Sequence, residues 1–235
     1  MKTRTELMVM FTHHDVTVPN AYDLFEECKD LPVYDWGFKN AGVTNEETLR
    51  IINAMKAADK ATFYEVVTRT KEAYKAGEIT GALCKFDYMM GTKYDAELHE
   101  AMKKNGIKFS PAVGQPGSMY KGEPGVLLGT FDEIITEAKM LVAEKGVDGI
   151  TIPAYRHYQD GQKLLDMLIK AIPDTPVIVA GSVDSFEKID RLFDMGVAKF
   201  TMGSALFNKK FAPEGSFRDN LEVVANYIET KHPRA

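Results

Sequence analysis

Cysteine is nearly absent from this chain of 235 residues: Cys28 and Cys84 are the only two, set in separate elements without metal-ligand spacing. That excludes a disulfide framework and leaves two reduced thiols. No apolar run approaches the roughly 20 residues of a membrane-spanning helix. The first residues, Met1 to Glu6, pass too soon into a short apolar strand and His13-His14-Asp15 to form a signal peptide. Positive charge is not in excess: the net charge is −5 and the pI near 5.6, which argues against nucleic acid or an anionic membrane as the main partner. Low-complexity stretches, linkers and short repeats are missing too. The expectation is a cytoplasmic protein whose partner is a small molecule.

What is present is core material in a regular beat. The chain is 45% hydrophobic and 27% charged. Short apolar or β-branched runs alternate with helical patterns, the mark of βα units and a parallel sheet. Eight strands are predicted, at Leu7–Phe11, Val33–Phe38, Thr62–Val67, Gly81–Phe86, Ile107–Ala112, Gly149–Ile152, Val177–Ala180 and Lys199–Met202. Between them, apolar residues recur at helical spacing, as in Leu165, Leu168, Ile169 and Ile172, and again in Leu221, Val224, Ala225 and Ile228. Gly77, Gly106, Gly146 and Gly196 follow helical runs, where a left-handed residue closes a helix. The fold class is α/β, a single (β/α)8 TIM barrel occupying residues 1–235, with chemistry expected in the turns that follow the strands. One such turn, Gln115 to Gly125, is long and rich in glycine and proline: either a lid over the mouth or an ordinary insertion. Outward helix faces carry no extra apolar stripe, so homo-oligomerisation is left open.

The last two strands each end in a glycine turn, Gly181-Ser182 and Gly203-Ser204. Glycine lets backbone N–H groups approach an anion, serine adds a hydroxyl, and the helices that follow add positive dipole ends. A single turn of this kind is commonplace. Two of them after the seventh and eighth strands of a barrel point to a phosphate site.

The stretch from Val177 to Phe207, about an eighth of the chain, resembles the phosphate-binding half of the ribulose-phosphate-binding barrel superfamily. That superfamily includes isomerases and synthases of histidine and tryptophan biosynthesis, sugar-phosphate epimerases and decarboxylases, and, with similar barrels, the keto-deoxy-phosphogluconate type aldolases. The third strand, Tyr64-Glu65-Val66-Val67-Thr68-Arg69-Thr70, is similar to the Glu-x-Thr-x-Arg-Thr strand of those aldolases, and Ile152-Pro153-Ala154 to their Phe-Pro-Ala. In three respects the chain departs from them. The threonine is displaced by one position, the glutamate strand is third rather than second, and Ile150 or a neighbour replaces the Schiff-base lysine. The resemblance implies a phosphorylated ligand and, with Glu65 handling protons, aldolase-like chemistry that uses a different lysine or none.

Residues that can carry that chemistry follow from position. Lys39 and Lys85 end predicted strands; a desolvated lysine can attack a carbonyl as the free amine, whereas a protonated one binds an anion. Glu65 is an acid in a β-branched run, where burial raises a carboxyl towards the range useful for proton transfer, unless it is a paired core residue. Asp87 is a second carboxylate that can instead cap a turn. Arg156 suits a bidentate clamp on carboxylate or phosphate, and His157 a proton carrier or a surface role. Ser110 and Gln115 offer hydrogen bonds to sugar hydroxyls. His13, Glu65 and His157 are the set from which a divalent metal site would be built, but they lack a recognised ligand spacing, and no cofactor is expected. The expected function is catalysis on a small phosphorylated carbonyl compound, first as a carbon–carbon lyase, alternatively as a sugar-phosphate isomerase or epimerase, or without turnover as a sensor.

Overall fold

The computed structural model describes residues 4–67, 70–114 and 125–234. Eight strands, β1 (Glu6–Met10), β2 (Asp35–Lys39), β3 (Ala61–Glu65), β4 (Tyr88–Lys93), β5 (Lys108–Ala112), β6 (Ile150–Ile152), β7 (Val177–Val179) and β8 (Lys199–Met202), close into one parallel barrel. Sequence neighbours pair in order, and β8 pairs with β1 to complete the ring. Helices cover it: α1 (Ala21–Cys28), α2 (Asn45–Ala57), α3 (Lys71–Cys84), α4 (Ala96–Lys104), α5 (Phe131–Met140), α6 (Gly161–Ala171), α7 (Phe186–Met195), the single-turn α8 (Ser204–Phe207) and α9 (Phe217–Lys231). None of the helices among the described residues is long and apolar enough to cross a membrane.

Strand alternation divides the core in two. Leu7, Val9, Trp36, Phe38 and Tyr64 face outward and pack beneath the helices; Phe11 stacks on Trp36, and Phe25 of α1 meets Trp36 edge-on. The inner set is Met8, Met10, Phe63, Met90 and Ile178. Three methionines there suit an irregular, tapering interior, because an unbranched thioether bends into gaps that a branched chain leaves. Gly37 faces the same interior, where a Cβ would come within 2.8 Å of the Met10 sulfur and the Phe63 carbonyl oxygen. On the floor, Asp35 (4% exposed) is paired with Lys199 of β8.

Seven of the eight strands lie within two residues of their predicted bounds. The fourth does not. Gly81–Phe86 was expected to be a strand, but α3 runs from Lys71 through Cys84, capped by the Thr70 hydroxyl, and the strand comes later, at Tyr88–Lys93. Gly77 is therefore not a helix terminator. It and Gly81 are buried inside α3, where a Cβ would press on Val66, or on Ile107 and Met102, at 2.9 Å. The glycines let α3 lie close against β3, α4 and the start of β5, and this packing offsets their weak helix propensity. Gly106, Gly146 and Gly196 do follow helices with left-handed backbones, at φ +70, +64 and +69. The expected lid, Gln115 to Gly125, lies outside the described residues apart from Gly125, as do Gln115 itself and Thr68 and Arg69 of the glutamate strand.

Candidate active site

The C-terminal ends of the strands surround a cavity of about 950 Å3. Its first wall follows from register. Lys39 of β2 is paired directly with Glu65 of β3, and both continue the inward-facing series begun by Gly37 and Phe63. Their side chains thus emerge side by side at the mouth, with Lys39 Nζ 3.4 Å from Glu65 Oε2.

A third charge arrives from above. After β1 the chain forms a small hairpin, Thr12–His13 against Val16–Thr17, whose tip residues His14 and Asp15 have φ of +50 and +61. Two successive left-handed residues make the tight turn that matches strand twist. The hairpin is pinned by Thr17, whose hydroxyl donates to the Lys39 carbonyl (2.7 Å) and accepts from the Lys39 N–H (2.9 Å). That fixes Asp15 over the mouth, its Oδ1 2.6 Å from Lys39 Nζ.

Burial sets the electrostatics of this group. It penalises the Lys39 charge, but the Glu65 and Asp15 carboxylates outweigh that penalty and hold the ammonium above the ordinary lysine range. Burial likewise pushes the Glu65 carboxyl up; Asp15 adds to the rise, and Lys39 and Arg156 oppose it. Gly91 makes room for that carboxyl. At φ +70, beside the register shift in β4, it leaves a space in which a Cβ would lie 2.7 Å from Glu65 Cδ.

β7 stands four strands from β3 in the ring, on the opposite wall. Here the Gly181 N–H is tied to Thr201 Oγ1 at 2.8 Å, which joins the seventh turn to the eighth strand. Ser182 is left-handed at φ +59. Among the described residues, the N–H groups of Ser182, Val183, Ser204 and Ala205 have no protein acceptor, so both turns offer donors to the cavity. Arg156, on a short turn after β6, lies above Gly181; its Nε is 3.4 Å from Ser182 Oγ, and a Cβ on Gly181 would come within 2.7 Å of Nη2.

The cavity thus collects Lys39, Glu65, Arg156, Gly181, Ser182, Gly203 and Ser204 of the predicted residues. Others are placed elsewhere. Lys85 closes α3 with φ +47 at the opposite end of the barrel, where its carbonyl accepts from Lys56; its predicted catalytic place rested on the misassigned fourth strand. Asp87 stays at that end, bonded to the Thr62 N–H and hydroxyl. His157 is buried behind the turn, its Nδ1 accepting from the Gln159 N–H and its Nε2–H donating to the Gly129 carbonyl at 2.7 Å, so neither nitrogen is free for substrate. Ser110 is buried beneath, against Gly149. His13 is engaged with Asn208. His13, Glu65 and His157 do not converge, and no cluster of three metal-ligating side chains occurs among the described residues.

Sequence reasoning left Asp15, Gly91 and Lys93 without roles. Asp15 stood in a His-His-Asp run just after a strand, a signal that was there to use. Lys93 ends the true fourth strand and lines the cavity, as does Lys210 after β8.

No protein-family model matches the sequence, and no curated protein matches it. Solved structures do. An orotidine 5′-monophosphate decarboxylase from Methanocaldococcus jannaschii, complexed with the inhibitor BMP, aligns at TM-score 0.65 and 15% identity over 95% of this chain and 98% of its own. The two share a (β/α)8 barrel fold. An N-acetylmannosamine-6-phosphate 2-epimerase from Clostridium perfringens aligns at 0.62 and 15%, covering 89% and 93%. A 4-hydroxy-2-oxoglutarate/2-dehydro-3-deoxyphosphogluconate aldolase aligns at 0.61 and 14%, covering 94% and 92%. These barrels serve different reactions, and at such identities the likeness is one of fold.

Proposed function

We propose that this protein is an enzyme that moves a proton at the carbon next to the carbonyl of a small phosphorylated compound, as a sugar-phosphate isomerase or epimerase does. The observation that carries this reading is the Asp15–Lys39–Glu65 group facing two donor-bearing glycine turns across one cavity. In it, the phosphate rests on the Ser182, Val183, Ser204 and Ala205 N–H groups beneath the Arg156 guanidinium. Glu65, its carboxyl raised by burial, takes the proton as a base and returns it. Lys39, kept as an ammonium by its two carboxylate neighbours, stabilises the negative charge that develops on the carbonyl oxygen. The cavity wall carries Lys39, Lys93, Arg156 and Lys210 against Asp15, Glu65 and Asp184, an excess of cations that suits an anionic ligand.

A second reading, the carbon–carbon lyase, is supported by Lys39 being an amine inside the cavity. A Schiff base there requires the ammonium to lose a proton that two carboxylates hold in place, which is why proton transfer comes first. A sensor has no use for the buried acid–base group.

The first test is a thermal-shift screen of sugar phosphates, phosphorylated sugar acids and inorganic phosphate, since a ligand of the folded state raises its melting temperature. Ser204→Asp is the variant of choice. Ser204 is exposed at the first turn of α8, whereas a side chain on Gly203 would meet the Thr12 and Met10 carbonyl oxygens at 2.7 and 2.8 Å. A stabilising phosphorylated compound should lose its effect in Ser204→Asp, and should exchange a carbon-bound proton with D2O in the wild type but not in Glu65→Gln. Borohydride trapping of that compound on Lys39 would decide for the lyase, and binding without exchange or trapping for the sensor. If no phosphate stabilises the wild type, the phosphate site is refuted.

A further inference from the structure

The hairpin that carries Asp15 has no part in closing the barrel, yet its attachment is specific. Thr17, 1% exposed, grips both polar backbone atoms of Lys39, and the tip then delivers Asp15 to the same residue's side chain. One short segment therefore contacts Lys39 at its N–H, its carbonyl and its ammonium. The distances rank the two carboxylates: Asp15 takes the ammonium at 2.6 Å, and Glu65 stands off at 3.4 Å.

From this arrangement we propose that Asp15 is a positioning residue: it engages the Lys39 ammonium so that Glu65, left with the weaker contact, remains a base strong enough to take a proton from carbon. The proposal rests on the reading of Glu65 as the proton carrier. Its physical content is a competition. An ammonium bonded fully to Glu65 would stabilise that carboxylate and weaken it as a base. With Asp15 present, the ammonium's shortest bond goes elsewhere, and a second negative charge faces Glu65 across the same lysine. The charges that act on Glu65 besides Asp15 are Lys39 and Arg156, from the turn after β6; both are cations, so Asp15 is the one carboxylate among these neighbours that raises the basicity of Glu65, while Lys93, Lys210 and Asp184 line the same cavity. It also keeps Lys39 charged, which suits an ammonium that stabilises an oxyanion and works against one that must attack as an amine.

The experiment needs no substrate. The Glu65 carboxyl is titrated by carbon-13 NMR of side-chain-labelled glutamate in the full chain, with its signal assigned from Glu65→Gln. The Lys39 ε-carbon is followed in the same way. Asn suits the left-handed tip as well as Asp does, so Asp15→Asn should keep the turn and remove the charge. The expected result is a fall of about one pH unit in the Glu65 midpoint, with a parallel fall for Lys39. Thr17→Val, which keeps Asp15 but releases the hairpin, should move both midpoints in the same direction by less, and Asp15→Glu should restore part of the shift. An unchanged or raised Glu65 midpoint in Asp15→Asn overturns the proposal; if that variant does not fold, the same outcome in Thr17→Val does. Failure of the catalytic reading would appear separately, as absence of deuterium exchange in a wild type whose Glu65 midpoint still depends on Asp15.

Discussion

Gly91 offers a way to move the Glu65 carboxyl without touching its chemistry. The residue has φ +70, and a Cβ there would lie 2.7 Å from Glu65 Cδ and 2.8 Å from Oε1. Gly91→Ala therefore imposes two costs. The first is the left-handed backbone, about 1–2 kcal/mol for a residue with a Cβ. The second is steric: ordinary contact begins at 3.4 Å, so the carboxyl must retreat by about 0.7 Å. Because it is the far end of a flexible side chain, retreat should be cheap in stability and expensive in geometry. Gly106→Ala separates the two. Gly106 has the same φ of +70, and nothing lies within 4 Å of its Cβ position. Both variants should lose about 1–2 kcal/mol in denaturant melts, a fall in melting temperature of about 2–8 °C for a chain of this size. Only Gly91→Ala should slow deuterium exchange into the bound phosphorylated compound, by about 10- to 100-fold, as expected when a reacting group is misplaced by a fraction of an ångström to one ångström. Equal exchange rates in the two variants would refute the claim that Glu65 works from this position. A stability loss in Gly91→Ala more than about 2 kcal/mol beyond that of Gly106→Ala would show that the carboxyl cannot yield.

His99 on α4 is 1% exposed and packs against Tyr94 and Phe109, and its Nε2 has no partner among the described residues; burial lowers its pKa. The unfolded chain takes up that proton near pH 6.5 while the folded chain resists it, so stability should fall as pH drops through about 6.5 and below, and urea midpoints of His99→Met should fall less steeply over the same range. On the barrel floor, Lys199→Met should cost about 3–5 kcal/mol at pH 7 by leaving the Asp35 carboxylate buried and unpaired. That cost should shrink in acid, since burial raises the Asp35 carboxyl despite Lys199 and removing the lysine raises it further; a loss independent of pH between 7 and 4.5, measured by denaturant melts, would mean that Asp35 is not the cause.

Much of the fold was legible because each βα unit repeats one pattern, and an error in one unit does not propagate to the next. The error that occurred was local. Gly81-Ala-Leu-Cys-Lys-Phe86 is a short apolar run, and in isolation such a run reads equally well as a strand or as the end of a buried helix. Gly77 just before it reads as a helix terminator, whereas in the folded chain Gly77 and Gly81 are contact points against Val66, Ile107 and Met102. That choice depends on neighbours far away in sequence. Displacing the fourth strand by seven residues at its start, from Gly81 to Tyr88, had a chemical consequence: it moved Lys85 to the wrong end of the barrel and concealed Lys93 at the right one.

The two glycine turns were readable for the opposite reason. A glycine-serine turn after a strand is set by its own backbone, and Gly181-Ser182 and Gly203-Ser204 needed only their place in the order of strands to be located at the cavity. The state of Lys39 has no such local signature. Whether that amine is a nucleophile or a fixed positive charge is decided by Asp15, 24 positions before it, and Glu65, 26 positions after it, meeting it on two different supports, a hairpin and a neighbouring strand. Position on the strand showed that Lys39 would face the mouth. Its partners decide its protonation, and because they hold it charged, Lys39 is better suited to stabilising an anion than to attacking a carbonyl.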